Sequence, residues 1–246
     1  MVSICMATYN GGKYIKEQLD SILLQIKCYD EIVVSDDGST DNTLDIIKKI
    51  NDPRIKVLNH VKRYAKYSFD YTTHNFENAI SNCCGDFIFL SDQDDVWMPN
   101  KYFLMMNALD NSDIVVSDCS IVNDNLKLIK RSKFESEKIN NRIWNNVVRN
   151  KNIGCCMAFK RSILKTILPF PRFGVAQDFW IAVYGGLFYK VCYINQPLIL
   201  YRRHDENVSS TSKKSTNSLS IKLGYRCRSV LSLIYRAGLV KVLKKL

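Results

Sequence analysis

Apolar and polar positions in the first hundred residues switch repeatedly between two periods. "VSICMA" (2–7) is a short, mostly apolar run, and Ile15, Leu19, Ile22, Leu23 and Ile26 then recur at helical spacing over 13–26. The pair repeats with "EIVVS" (31–35) as a second strand. "GSTDNT" (38–43) supplies a turn and helix-capping residues ahead of Leu44, Ile46 and Ile47. "IKVL" (55–58) follows Pro53 as a third strand. Residues 69–82 read as a helix turning Phe76, Ala79 and Ile80 inward, and "DFIFL" (86–90) as a fourth strand. Pro99 is placed to open the next helix in its first turn. Such strand–helix alternation predicts an α/β fold, a mostly parallel sheet flanked by helices on both faces.

The second half is less regular. "DIVVSD" (113–118) is a strand, "NDNLKL" (123–128) a hairpin turn, and "GCCMAFKR" (154–161) a buried strand leading into a helix. "QDFWIAVYGGLF" (177–188) is a helix, with "VCYI" (191–194) and "LILYRRH" (198–204) on either side of Pro197. Residues 205–217 have linker composition. Beyond them Leu219, Leu223, Cys227, Val230, Leu231, Ile234 and Ala237 share one helical face, and Arg228, Ser229, Ser232 and Arg236 the other. This divides the chain into a catalytic-sized domain, 1–212, and a basic amphipathic tail, 213–246.

Charge sharpens that division. The net charge is +11, yet nine of the 35 lysines and arginines and none of the 24 acids fall in 213–246, so 1–212 carries only +2. A nucleic-acid groove would spread its charge over a folded face, so no nucleic-acid partner is expected. A basic amphipathic tail suits a membrane surface; the alternative is an apolar face packed on the body of the chain or on a second subunit in a homodimer. No run of eighteen apolar residues is available to span a bilayer, and Met1–Ile4 reads as strand rather than signal peptide, which points to the cytoplasm and the inner face of the membrane. The nine cysteines lack Cys-x-x-Cys spacing, and the pairs Cys83-Cys84 and Cys155-Cys156 sit in apolar runs, as buried thiols do in a reducing compartment.

In parallel sheets, ligands bind at the carboxyl ends of strands. "TYNGG" (8–12), "SDDGSTD" (35–41) and "SDQDD" (91–95) lie at three such ends and should converge on one cleft. Asp92 and Asp94, one residue apart, point to the same side of an extended segment and repel unless a cation lies between them. A hard divalent ion carrying a diphosphate meets that need; capping of the following helix is the other use for Asp92, Asp94 and Asp95. No Gly-rich phosphate loop is present, which excludes P-loop hydrolases and dinucleotide oxidoreductases.

"VSICMATYNGGKYIKEQLDSILLQ", "DEIVVSDDGSTDNT", "FLSDQDDVW", "GCCMAFKR", "QDFWIAVYGGLF" and "LILYRRHDENVS" follow one another in the order seen in glycosyltransferase family 2. They resemble most its bacterial rhamnosyltransferase-type members, over roughly residues 1–210. The resemblance implies a GT-A type fold, a nucleotide-sugar donor, a divalent metal (Mg²⁺ or Mn²⁺) and inverting transfer to a glycan or lipid-linked acceptor in surface polysaccharide synthesis. It implies donor-nucleotide contacts at Thr8, Asn10, Asp36, Asp37 and Asp92, and metal ligation at Asp94 with His204. It makes Asp178 the catalytic base, with Arg202 and Arg203 placed to meet the diphosphate. Gln177 stands where relatives often carry Glu or His, a departure that leaves the base assignment standing but takes away the resemblance's support for a helper role there. The donor reading is dTDP-rhamnose or a UDP-hexose. The alternatives are a nucleotidyltransferase, which would need a Gly-rich triphosphate loop where "ATYNGGKY" offers only Lys13, and a non-catalytic nucleotide-sugar-binding module.

Overall fold

The computed structural model describes residues 1–62, 64–137, 152–172, 174–204 and 219–243. Its strands are β1 (Val2–Thr8), β2 (Glu31–Asp36), β3 (Ile55–Asn59), β4 (Phe87–Asp92), β5 (Val96–Trp97), β6 (Ile114–Asn123), β7 (Leu128–Lys130), β8 (Met157–Lys160) and β9 (Val191–Arg203). Its helices are α1 (Ile15–Leu23), α2 (Thr43–Ile50), α3 (Ser68–Ser81), α4 (Lys101–Asp110), α5 (Lys133–Glu137), α6 (Leu164–Ile167), α7 (Gln177–Phe179, running into a π-helical stretch at Trp180–Gly185) and α8 (Leu219–Leu243). The linker expected over 205–217 lies outside the described residues.

Among the described residues the strands form one sheet in the order β3-β2-β1-β4-β8-β6-β9-β5, with β7 paired to β6. β3, β2, β1 and β4 run parallel, as the alternating pattern predicts. β8 enters antiparallel between β4 and β6, so the sheet is mixed. β1 and β2 are covered on both faces, which is why they read as continuous apolar runs rather than alternating ones. α1 buries Ile15, Leu19 and Ile22 on one stripe together with Gln18, the polar exception.

Two expectations are corrected. Pro99 does not start a helix: α4 begins at Lys101 after Asn100, which takes a left-handed φ of 68° at the N-cap. Upstream, the Met98 amide is held by the Leu198 carbonyl at 3.0 Å, which keeps this segment extended. Pro197 does not end a strand either. β9 continues through it, because its pairing with β6 shifts between Ser117 and Asp118 and again before Ser120, and a proline is tolerated at such an irregularity. The thiols also divide: Cys5, Cys83, Cys119, Cys155 and Cys156 are buried as expected, whereas Cys84 is exposed, and no disulfide joins any of the nine.

The sheet positions the acids from both sides. β4 ends at Asp92, and the chain re-enters the sheet at β5, where Val96 and Trp97 pair with Leu200 and Ile199 of β9. Residues 93–95 therefore form a short bridge pinned at each end. Beneath it lies Lys101, fully buried, with its ammonium 3.1 Å from Met105 Sδ, 3.3 Å from the Cys155 carbonyl and 5.0 Å from the Trp97 ring centroid. Burial lowers its pKa from 10.5 to about 8. Between those values the unfolded chain binds more protons than the folded one, so stability rises with pH across that window. Lys101→Met removes the buried cation at similar length. It should raise stability at neutral pH by about 1–3 kcal/mol and flatten that pH dependence, as read by urea unfolding at neutral pH and at about pH 10.

Candidate active site

Hydrogen bonds join the three strand ends. Thr8 Oγ1 donates to Gln93 Oε1 at 2.5 Å, the Tyr9 amide donates to the same oxygen at 2.9 Å, and Gln93 Nε2 returns to the Tyr9 carbonyl at 3.1 Å. A Cβ at Gly11 would meet the Gln93 carboxamide, so glycine leaves room for that side chain where the first loop approaches the acid loop. Asn10, at a φ of 48° that asparagine tolerates, accepts from the Thr40 amide at 2.8 Å and donates its own amide to Ser39 Oγ at 2.9 Å. The clusters "TYNGG", "SDDGSTD" and "SDQDD" thus form one rim.

Within that rim the neighbouring aspartates differ. Asp36 accepts from the Gly38 and Ser39 amides at 2.9 and 2.8 Å and from Ser39 Oγ at 2.5 Å, closing its own turn around Gly38, whose φ is +79°. Asp37 Oδ1 instead lies 2.5 Å from His60 Nδ1, at the end of β3. His60 escaped the sequence reading. The signal was available, because it ends the third strand as the three acid clusters end theirs.

Asp94 Oδ2 and His204 Nε2 are 2.8 Å apart, and the His204 ring lies 4.8 Å from that of Tyr14. Asp92 feels both Asp94 and Asp178: burial first, then those two carboxylates, push its pKa up to about 8. Asp95 is fully buried. Its Oδ1 accepts from the Arg202 amide at 2.9 Å, its Oδ2 has no hydrogen-bond partner among the described residues, and burial with Asp94 and Asp92 holds its pKa well above the usual carboxylate range. Asp92, Asp95 and Cys155 offer donor atoms all within 4.8 Å of one another. An unpartnered buried oxygen, crowded carboxylates and an imidazole are a donor set that fits a hard divalent ion. The Cys155 thiol, kept protonated by burial, suits such an ion poorly.

Asp178 lies in the short helix α7, its Oδ1 accepting from the Phe179 amide at 2.5 Å. Gln177 beside it is buried and accepts from Thr73 Oγ1 of α3 at 2.9 Å, which anchors the segment. A Cβ at Gly154 would lie 3.5 Å from Gln177 Nε2 and 3.9 Å from Asp178 Cβ, so this helix packs at van der Waals distance from the "GCC" turn.

The two arginines are not equivalent. The Arg202 guanidinium is almost wholly buried. Nε donates to the Asp94 carbonyl at 2.8 Å, Nη1 to the Asp124 carbonyl at 2.6 Å and Nη2 to Glu17, with the Tyr14 ring 4.7 Å away. Its donors face protein, whereas Arg203, less buried, lies over the Tyr201 ring at 4.7 Å.

The model of the family described as "Glycosyl transferase family 2" matches residues 3–168. The chain belongs to glycosyltransferase family 2. Two curated relatives agree with the family 2 assignment. The chain is 28% identical over 242 residues to the UDP-Glc:alpha-D-GlcNAc-diphosphoundecaprenol beta-1,3-glucosyltransferase WfgD of Escherichia coli, covering 96% of this chain and 90% of that protein. It is 28% identical over 227 residues to the dTDP-rhamnosyl transferase RfbG of Shigella flexneri, covering 82% and 72%. Among solved structures, S. aureus TarS 1-349 in complex with UDP-GlcNAc superposes with a TM-score of 0.65 at 22% identity over 87% of this chain. This chain spans 62% of that structure. At such identity the likeness establishes the GT-A type fold.

For this family 2 glycosyltransferase, Arg202 is a brace between the acid bridge, α1 and the β6–β7 turn. Arg202→Ala should destabilise the fold by about 2–4 kcal/mol in urea unfolding, by stranding two carbonyls and Glu17. Arg202→Lys should rescue little, since one ammonium does not span three acceptors. Loss of donor affinity at unchanged stability would instead mark Arg202 as a phosphate contact.

Proposed function

We propose that this enzyme transfers a sugar from a nucleoside-diphosphate donor to a lipid-linked acceptor, with inversion, in bacterial surface polysaccharide synthesis. The observation that carries the reading is the convergence of Asp92, Asp94 and His204 with Asp178 on one rim. The acceptor hydroxyl attacks the anomeric carbon while Asp178 takes its proton, and the bond from that carbon to the diphosphate oxygen breaks in the same displacement. Asp37 receives the nucleobase, steered by His60, while Asp36 shapes the loop that carries it. Thr8 and Asn10 set the first loop against the nucleotide, Asp92 takes the ribose side, and Arg203 faces the diphosphate. Asp94 and His204 would hold a Mg²⁺ or Mn²⁺ ion, which when bound supplies positive charge opposite the departing diphosphate.

Inversion is supported by the relative WfgD, whose name gives UDP-Glc as donor and a β-1,3 linkage as product, because the glucose of UDP-glucose is α-linked to its diphosphate. The same name supports a diphosphate-lipid acceptor. WfgD and RfbG differ in donor, so both UDP-hexose and dTDP-rhamnose stay in the proposal. A lipid-linked acceptor places the enzyme at the inner membrane surface.

Asp178→Asn should lower turnover by at least about 10²-fold with little change in donor affinity, because only stabilisation of the transition state is lost. Near-normal turnover would transfer the base to another acid. Asp94→Ala should abolish metal-dependent donor binding, measured by calorimetry with nucleoside diphosphate and Mn²⁺, and His204→Ala should weaken it by a smaller factor. Transfer that survives EDTA would overturn the metal assignment.

A further inference from the structure

Helix α8 meets the body with its polar face. Ser229 and Leu233 are buried there. Ser229 Oγ donates to the Gly174 carbonyl at 3.4 Å, and Arg236 donates to the carbonyls of Leu168, at 3.5 Å, and Pro169. The apolar stripe points outward. Val230 is 42% exposed, Leu231 64%, Ile234 65% and Tyr235 68%, with Cys227 and Gly238 exposed along the same side. Residues three and four apart on a helix are neighbours, so these four side chains make one continuous apolar strip rather than scattered exposures.

Three observations choose the occupant. The protein side is already taken by Ser229, Leu233 and Arg236, so the strip does not close onto its own domain. The flanking sequence is one-signed: nine lysines and arginines and no acid lie in 213–246, with the exposed Arg226 bordering the strip. Two copies packed strip to strip would bring those like charges together, whereas an anionic surface pairs with them. Among the described residues no helix is long and apolar enough to cross a membrane, so contact with lipid would be interfacial.

We propose that the Val230–Leu231–Ile234–Tyr235 face of α8 lies flat on an anionic lipid bilayer. The proposal rests on the lipid-linked acceptor reading and deepens it. The body segment that α8 grips, Leu168–Gly174, ends four residues before Asp178. Docking on lipid thus holds the segment leading into α7, the helix that carries Asp178, near the surface from which a lipid-linked hydroxyl arrives.

The test uses the full chain and a full-length Leu231→Ser, Ile234→Ser, Tyr235→Ser variant, all exposed positions away from the catalytic rim. Sedimentation is measured with vesicles of phosphatidylglycerol and phosphatidylethanolamine in equal parts, and with phosphatidylcholine vesicles. The wild type should bind the anionic vesicles at low salt, be partly released by high salt, and bind phosphatidylcholine weakly. The variant should partition at least about tenfold less, with unchanged melting temperature and unchanged stabilisation by UDP with Mn²⁺. Equal sedimentation of the two proteins overturns the proposal. So does a wild-type dimer in analytical ultracentrifugation that the variant converts to monomer, which would make the strip a subunit contact. UDP–Mn²⁺ stabilisation retained without vesicle binding removes the docking face and leaves the transferase reading standing; absence of stabilisation by UDP and by dTDP with Mn²⁺ in both proteins removes the latter.

Discussion

The geometry of the catalytic rim depends on one buried guanidinium. Arg202 ties the acid bridge at Asp94, helix α1 at Glu17 and the β6–β7 turn at Asp124, while its own amide fixes Asp95. A bridge carrying two carboxylates directly after Asp92 would otherwise splay, since each negative charge raises the cost of the next. Arg202 supplies a cation behind the bridge. It holds the backbone carbonyl of Asp94 rather than the carboxylate, so the Asp94 side chain stays directed at His204. The charge that restrains the loop is thereby kept separate from the charge the loop must offer to a ligand.

This arrangement also explains why the site reads only in part from sequence. The parallel half of the sheet is legible because its strands and helices bury faces at periods of two and 3.6, and the strand-end rule then locates the acids at 8–12, 35–41 and 91–95. Local pattern does not report which atom a long polar side chain reaches. Arg202 and Arg203 are adjacent and chemically alike, yet alternate pleating sends one into the body and leaves the other less covered. Asp36 and Asp37 divide in the same way, one toward its own turn and the other toward His60, which lies 23 residues further along the chain. Pro99 and Pro197 mislead for a related reason: tertiary pairing with β9 and β6 overrides the local preference of each.

The tail shows the same limit. Periodicity finds both stripes of α8 but does not say which stripe meets protein. A polar stripe can dock when it hydrogen-bonds carbonyls that would otherwise need partners, and Ser229 and Arg236 do so at Gly174, Leu168 and Pro169. Leu233 is the apolar anchor within that face. The carbonyls belong to an irregular segment between α6 and α7, where no sheet or helix would satisfy them.

Among the described residues arginines capture backbone carbonyls at four places, Arg54, Arg161, Arg202 and Arg236, and the last two hold irregular segments, the acid bridge and Leu168–Pro169. Irregular backbone carries Asp94, while Asp178 stands in helix α7, and both carboxylates act on Asp92. It is also the backbone least able to hold itself, because its polar groups lack ladder partners. A guanidinium, with five donors in a rigid fork, can gather such carbonyls where a lysine would reach one at a time. On this argument Arg202 fixes where the acid bridge stands, and Arg236 holds the segment that leads into α7.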